Sequence, residues 1–134
     1  MEEISSQNRN AYKPINILII DDNNILLRTV KEMLDDKFNV SIAISSTQAF
    51  ESIQRRLPNL ILLDYEMPYV DGEEVLLQLR QRNDTKDIPV IFLTGSADKD
   101  IVTKLVNMKP AGYVLKPPNK QKLIDLIEKT LSKE

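Results

Sequence analysis

Short apolar runs alternate with amphipathic stretches along this chain. The runs at 15–20, 60–63, 90–93 and 113–115 are bounded by polar residues or proline and are too short for helices, so they predict buried parallel strands. A further strand is predicted over 39–43. Between the runs, apolar residues recur at helical spacing. Leu26, Leu27, Val30, Met33 and Leu34 mark a helix over 24–36, and a second helix near 47–56 is stopped by Pro58. A third, with Val75, Leu76 and Leu79 facing inward, runs to about Arg82; a fourth covers about 99–107. The last, about 119–131, is predicted to bury Leu123, Leu126, Ile127 and Leu131. Five strands alternating with five helices predict an α/β fold: a doubly wound parallel sheet with helices on both faces, because each crossover must be right-handed. No repeat, low-complexity tract or linker divides residues 15–134, so they read as one domain. Residues 1–14 are polar and aperiodic and predict a flexible N-terminal arm.

The candidate chemistry follows from where the runs end. In an open α/β sheet the site lies outside the carboxyl ends of the strands, where residues distant in sequence converge. Asp21, Asp22, Asp64, Thr94 and Lys116 each sit just beyond an apolar run. Three carboxylates, a hydroxyl and an ammonium are therefore expected in one pocket.

Composition narrows what that pocket can do. The 134 residues contain no cysteine and no histidine, which excludes disulfides, thiolate and imidazole chemistry and the usual transition-metal ligands. Any metal must be hard and oxygen-bound. A net charge of −2 gives no electrostatic reason to expect nucleic acid or a membrane as partner. No apolar stretch is long enough to span a bilayer and no secretion-signal core stands at the N-terminus, so the expected location is cytoplasmic.

Adjacent acids at Asp21 and Asp22, with Asp64, offer oxygens in the number and charge that suit Mg²⁺. A cation also makes such a cluster tolerable, since like charges at close range otherwise raise a carboxylate pKa. A carboxylate near Mg²⁺, faced by Lys116 and the Thr94 hydroxyl, fits a nucleophile for phosphoryl transfer. Mg²⁺ and Lys116 would neutralise the equatorial oxygens, and Thr94 would donate to one of them.

Four pieces carry a resemblance: Ile19-Ile20-Asp21-Asp22-Asn23; Leu62-Leu63-Asp64-Tyr65-Glu66-Met67-Pro68-Tyr69-Val70-Asp71-Gly72; Ile91-Phe92-Leu93-Thr94-Gly95; and Gly112-Tyr113-Val114-Leu115-Lys116-Pro117. In this order and spacing they closely resemble the receiver domain of two-component response regulators, including the chemotaxis receiver, over residues 15–131. The resemblance implies a flavodoxin-like sheet of order 2-1-3-4-5. It implies Asp64 as phosphoacceptor for a phosphohistidine of a sensor histidine kinase or phosphotransfer protein. Mg²⁺ would be ligated by Asp22, Asp64 and the backbone carbonyl of Glu66, with Asp21 acting mostly through water. Lys116 resembles the phosphate-binding lysine, Thr94 and Tyr113 the switch pair, and Lys116-Pro117 the cis peptide of the family. The Glu66 side chain is expected to be free, lying over the phosphoryl group. Gly72 and Met67-Pro68 are expected to be structural, shaping the loop.

The implied output is a downstream protein or an appended domain, reached through the fourth helix, fifth strand and fifth helix. The chemistry is self-directed, so the chain is not expected to be an enzyme. Two departures bear on this output. Pro118 stands where an aromatic often follows the Lys-Pro pair, and Leu126 occupies the usual arginine position of the receivers that pair through their last helices. A monomer or weak dimer is therefore expected. The chain ends just after the last helix, which fits a free-standing receiver or a piece of a longer regulator. A flavodoxin-type carrier would need a hydroxyl- and Gly-rich loop where this chain has Asp21-Asp22-Asn23-Asn24, and a P-loop protein needs a motif that does not occur. An aspartyl-phosphate phosphohydrolase would carry a second acid two residues after its first-strand nucleophile, where this chain has Asn23. A receiver that binds partners without being phosphorylated is the remaining alternative.

Overall fold

The computed structural model describes residues 14–68 and 71–133. The expected N-terminal arm, apart from the exposed Pro14, and the motif residues Tyr69 and Val70 lie outside them. In chain order the elements are β1 (Asn16–Ile20), α1 (Asn24–Leu34), β2 (Asn39–Ala43), α2 (Ser46–Arg55), β3 (Leu60–Asp64), α3 (Gly72–Gln81), β4 (Val90–Thr94), α4 (Lys99–Asn107), β5 (Gly112–Leu115) and α5 (Lys120–Ser132). All strand pairings are parallel and the order is β2-β1-β3-β4-β5, as the resemblance implied.

Strand alternation sends side chains to two cores. Leu18, Ile20, Ile61, Leu63, Val90 and Phe92 face α2, α3 and α4 through Ile53, Val75, Leu79 and Leu105. Ile17, Ile19, Leu60, Leu62, Ile91 and Leu93 face α1 and α5 through Leu27, Val30, Leu34, Leu123 and Ile127. The central strands β1, β3 and β4 are thus buried on both faces, which is why they read as unbroken apolar runs. Each fully buried aliphatic side chain contributes about 1.5–3 kcal/mol. That core must also carry two buried carboxylates at its carboxyl edge, Asp21 and Asp64, whose burial costs stability.

The predicted boundaries shift in a few places for local reasons. α1 stops at Leu34 rather than 36, because the Lys37 and Phe38 amides both donate to the Leu34 carbonyl and turn the chain. β3 and β4 each extend one residue beyond the apolar run, so Asp64 and Thr94 are the last strand residues instead of following the strand. Leu126 and Leu131 are partly rather than fully buried, flanking the core on the α5 side. Buried Thr85 donates its hydroxyl to the Leu79 carbonyl at 2.6 Å and closes the end of α3. Among the described residues, no helix is long and apolar enough to cross a membrane.

Candidate functional site

The sheet ladder continues just past the strand ends and fixes the site residues. The Asp21 amide donates to the Ala43 carbonyl at 3.0 Å, Tyr65 to Leu93 at 2.9 Å and Lys116 to Thr94 at 2.8 Å. Asp21 then braces the turn into α1, its Oδ1 accepting from the Asn23 amide at 2.9 Å. Asn23 caps α1, accepting from the Ile25 and Leu26 amides at 3.0 and 3.1 Å. Asp21 is buried and Asp22 exposed, and both are left facing Asp64.

Asp21, Asp22 and Asp64 offer carboxylate oxygens that lie within 4.8 Å of one another. Asp64 Oδ1 accepts from Lys116 Nζ at 2.8 Å and from the Glu66 amide at 3.0 Å. Its Oδ2 is buried with no hydrogen-bond donor. Lys116 Nζ also lies 2.9 Å from Asp21 Oδ2, an ionic contact outside hydrogen-bonding angles. A buried carboxylate oxygen lacking a donor, beside two further acids, fits a hard cation with oxygen ligands.

Burial raises the Asp64 carboxyl to about 7, and the nearby Asp21 charge adds to the rise against the opposing hydrogen bonds from Lys116 and Glu66. Burial alone would lower the Lys116 ammonium, but its contacts with Asp64 and Asp21 outweigh this and hold it above the ordinary lysine value. One ammonium is thus shared between two buried acids, so the pocket carries excess negative charge.

Gly72 and Met67 hold the loop that follows Asp64. The Gly72 amide donates to the Tyr65 carbonyl at 2.9 Å. A Cβ at Gly72 would come within 2.6 Å of the Asp64 carbonyl oxygen and 2.8 Å of Tyr65 Cα, so a side chain there would press on the strand end that carries Asp64. Met67 packs into the core, and Tyr65 meets Phe92 edge-on at 5.5 Å. Across the pocket the Lys116–Pro117 bond is cis, Pro118 is buried, and Asn119 caps α5 by accepting from the Lys122 amide at 3.0 Å.

The Glu66 side chain departs from expectation. It is not free: its Oε1 accepts from the Thr94 hydroxyl at 3.0 Å and from the Gly95 amide at 3.1 Å. The loop after β3 carries Glu66 across to the end of β4, a placement set by tertiary packing rather than by local sequence. Asp71, at the end of that loop, caps α3 by accepting from the Glu74 amide at 3.0 Å. Tyr113 pairs in register with Phe92, and Leu115 with Thr94, so alternation puts Tyr113 and Thr94 on one face of the sheet. The tyrosine is 40% exposed.

Residues 17–128 match the response regulator receiver domain family. The chain is 32% identical over 120 residues to "Probable transcriptional regulator ycf29" of Porphyra purpurea, covering 89% of this chain and 57% of that protein. It is also 32% identical over 119 residues to hybrid signal transduction histidine kinase D of Dictyostelium discoideum, covering 89% of this chain but 8% of the kinase. The chain therefore corresponds to about half of the first relative and a small part of the second. Among solved structures, a response regulator receiver domain protein from Clostridium thermocellum superposes with a TM-score of 0.79 at 27% identity, covering 89% of this chain and 95% of that one. The family match runs from the first strand into the last helix, and on that extent the chain belongs to the response regulator receiver domains of two-component signalling.

Proposed function

We propose that Asp64 accepts a phosphoryl group from the phosphohistidine of a sensor histidine kinase or phosphotransfer protein, in a Mg²⁺-dependent reaction. The observation that carries this reading is the state of Asp64: buried, with Oδ1 fixed by Lys116 and the Glu66 amide and Oδ2 without a donor. Asp21, Asp22, Asp64 and the Glu66 backbone carbonyl would hold the metal, Asp21 mostly through water. When bound, Mg²⁺ supplies positive charge that keeps Asp64 ionised near neutral pH and offsets charge on the transferred group.

The protein's own residues do the rest. An Asp64 carboxylate oxygen forms the new P–O bond as the P–N bond of the donor breaks; the imidazole keeps the bonding pair and takes a proton from solvent. Lys116, already on Asp64, moves its charge to the phosphoryl oxygens. The Thr94 hydroxyl turns toward one of them and leaves room that Tyr113 can fill, which shifts the population of the face made by α4, β5 and α5. That face would meet the downstream partner or output domain. Phosphorylation and hydrolysis both occur on Asp64 itself, so the protein acts as a cytoplasmic switch, a monomer or weak dimer, rather than as an enzyme on other substrates.

Incubation with acetyl phosphate and Mg²⁺ tests this reading. The parent should yield an acid-stable, base-labile adduct; Asp64→Asn should yield none, and Lys116→Ala should form it much more slowly. Full yield on Asp64→Asn would overturn the assignment.

A further inference from the structure

We infer that the Glu66 carboxylate is an internal anion that occupies the hydroxyl–amide subsite of Thr94 and Gly95 and must be displaced before a phosphoryl oxygen can use it. The inference rests on the proposed phosphorylation of Asp64 and deepens it. One carboxylate oxygen, Oε1, takes both the Thr94 hydroxyl at 3.0 Å and the Gly95 amide at 3.1 Å. Two converging donors on one oxygen form an anion subsite, and here the anion comes from the same chain.

The Thr94 hydroxyl has a single proton to give. Its oxygen already accepts from the Ser96 amide at 3.2 Å, which orients the group. The proton points to Glu66 at 3.0 Å, and the other acceptor within reach, the Ser96 carbonyl, is at 3.4 Å. A phosphoryl oxygen therefore cannot receive this proton while Glu66 holds it. Room for the exchange exists, because a Cβ at Gly95 would meet nothing nearer than Glu66 Oε1 at 4.0 Å. The Glu66 side chain is exposed, so once released it can swing into water at little steric cost.

The competition sets an affinity. A site whose donors are free only a tenth of the time binds its ligand tenfold more weakly than the open site. Glu66 is thus a positioning residue: it acts through Thr94 and Gly95 and sets how readily the switch responds to a given phosphodonor. Losing the carboxylate should raise affinity for a phosphoryl-like anion on Asp64 by about tenfold, equivalent to about 1.4 kcal/mol.

Beryllofluoride with Mg²⁺, a non-covalent stand-in for the phosphoryl group, gives the test. Its affinity would be measured for the parent, Glu66→Ala, Glu66→Gln and Asp64→Asn, with the Gly95 amide proton followed by NMR in the metal-free and ligand-free proteins. Glu66→Ala should bind about tenfold more tightly than the parent, and its Gly95 amide should move upfield before any ligand is added. Glu66→Gln keeps an oxygen for the two donors but loses the charge, and should fall between them. Equal or weaker binding by Glu66→Ala, or an unmoved Gly95 amide, would overturn the inference while leaving phosphorylation of Asp64 intact. Equal binding by the parent and Asp64→Asn would instead refute the reading of Asp64, and the displacement inference with it.

Discussion

Removing the charge of Asp64 in metal-free protein should make the fold more stable above neutral pH. The carboxyl is held at about 7 in the folded protein against an ordinary value of 3.8, chiefly by burial and then by the Asp21 charge. A group with a raised folded pKa binds its proton more tightly in the native state, so its stabilising contribution is full below pH about 4 and is lost as pH rises through about 7. Each unit corresponds to about 1.4 kcal/mol, so the lost contribution is on the order of 4 kcal/mol. Asp64→Asn avoids that loss but also removes the closest partner of Lys116, which retains Asp21 at 2.9 Å. That hydrogen bond already holds the carboxyl below where burial alone would put it, so about 4 kcal/mol is the upper limit of the gain. Urea unfolding with EDTA at pH 5 and pH 8 measures it. Relative to the parent, Asp64→Asn should gain stability between the two pH values and be the more stable protein at pH 8, whereas excess Mg²⁺ should reverse that order by stabilising only the parent. If Asp64→Asn is no more stable than the parent at pH 8 in EDTA, carboxylate crowding does not govern the site.

Other expectations follow from the same geometry. Mg²⁺ should stabilise the parent against urea by mass action, and Asp22→Ala should lose most of that gain; an equal gain in both would place the cation elsewhere. Thr94→Ala should still form the Asp64 adduct, yet beryllofluoride should shift NMR resonances of α4 and α5 much less than in the parent, and undiminished shifts would rule out coupling through the hydroxyl. Gly72→Ala puts a Cβ 2.6 Å from the Asp64 carbonyl oxygen and should cost about 1–3 kcal/mol in urea unfolding, with slower phosphorylation; a neutral result would show that the strand end yields freely.

The fold was legible because its strands are buried on both faces. β3 and β4 consist of apolar side chains up to their last residue, and a parallel sheet covered on both sides accommodates such runs where they alternate with amphipathic helices. The site residues were legible for a related reason: Asp64 and Lys116 lie where apolar runs end, and the topology gathers those ends at one edge. Burial and the partners of the loop side chains were not legible. That Asp21 is buried while Asp22 is exposed depends on where β1 hands over to the α1 cap. That Glu66 reaches Thr94 depends on the course of the loop after β3, which Gly72 and Met67 fix only in three dimensions. The burial of Pro118 at the start of α5 belongs to the same class, since no periodic pattern marks a loop residue as core.

The central claim is that the phosphoryl group resides on Asp64. Treating acetyl phosphate-labelled protein with borohydride reduces an aspartyl phosphate to homoserine, and peptide mass spectrometry then reads the converted position directly. Conversion confined to residue 64, dependent on Mg²⁺, is the predicted result. Conversion at Asp21 or Asp22 with residue 64 intact, or no conversion in protein that carries the label, would contradict it.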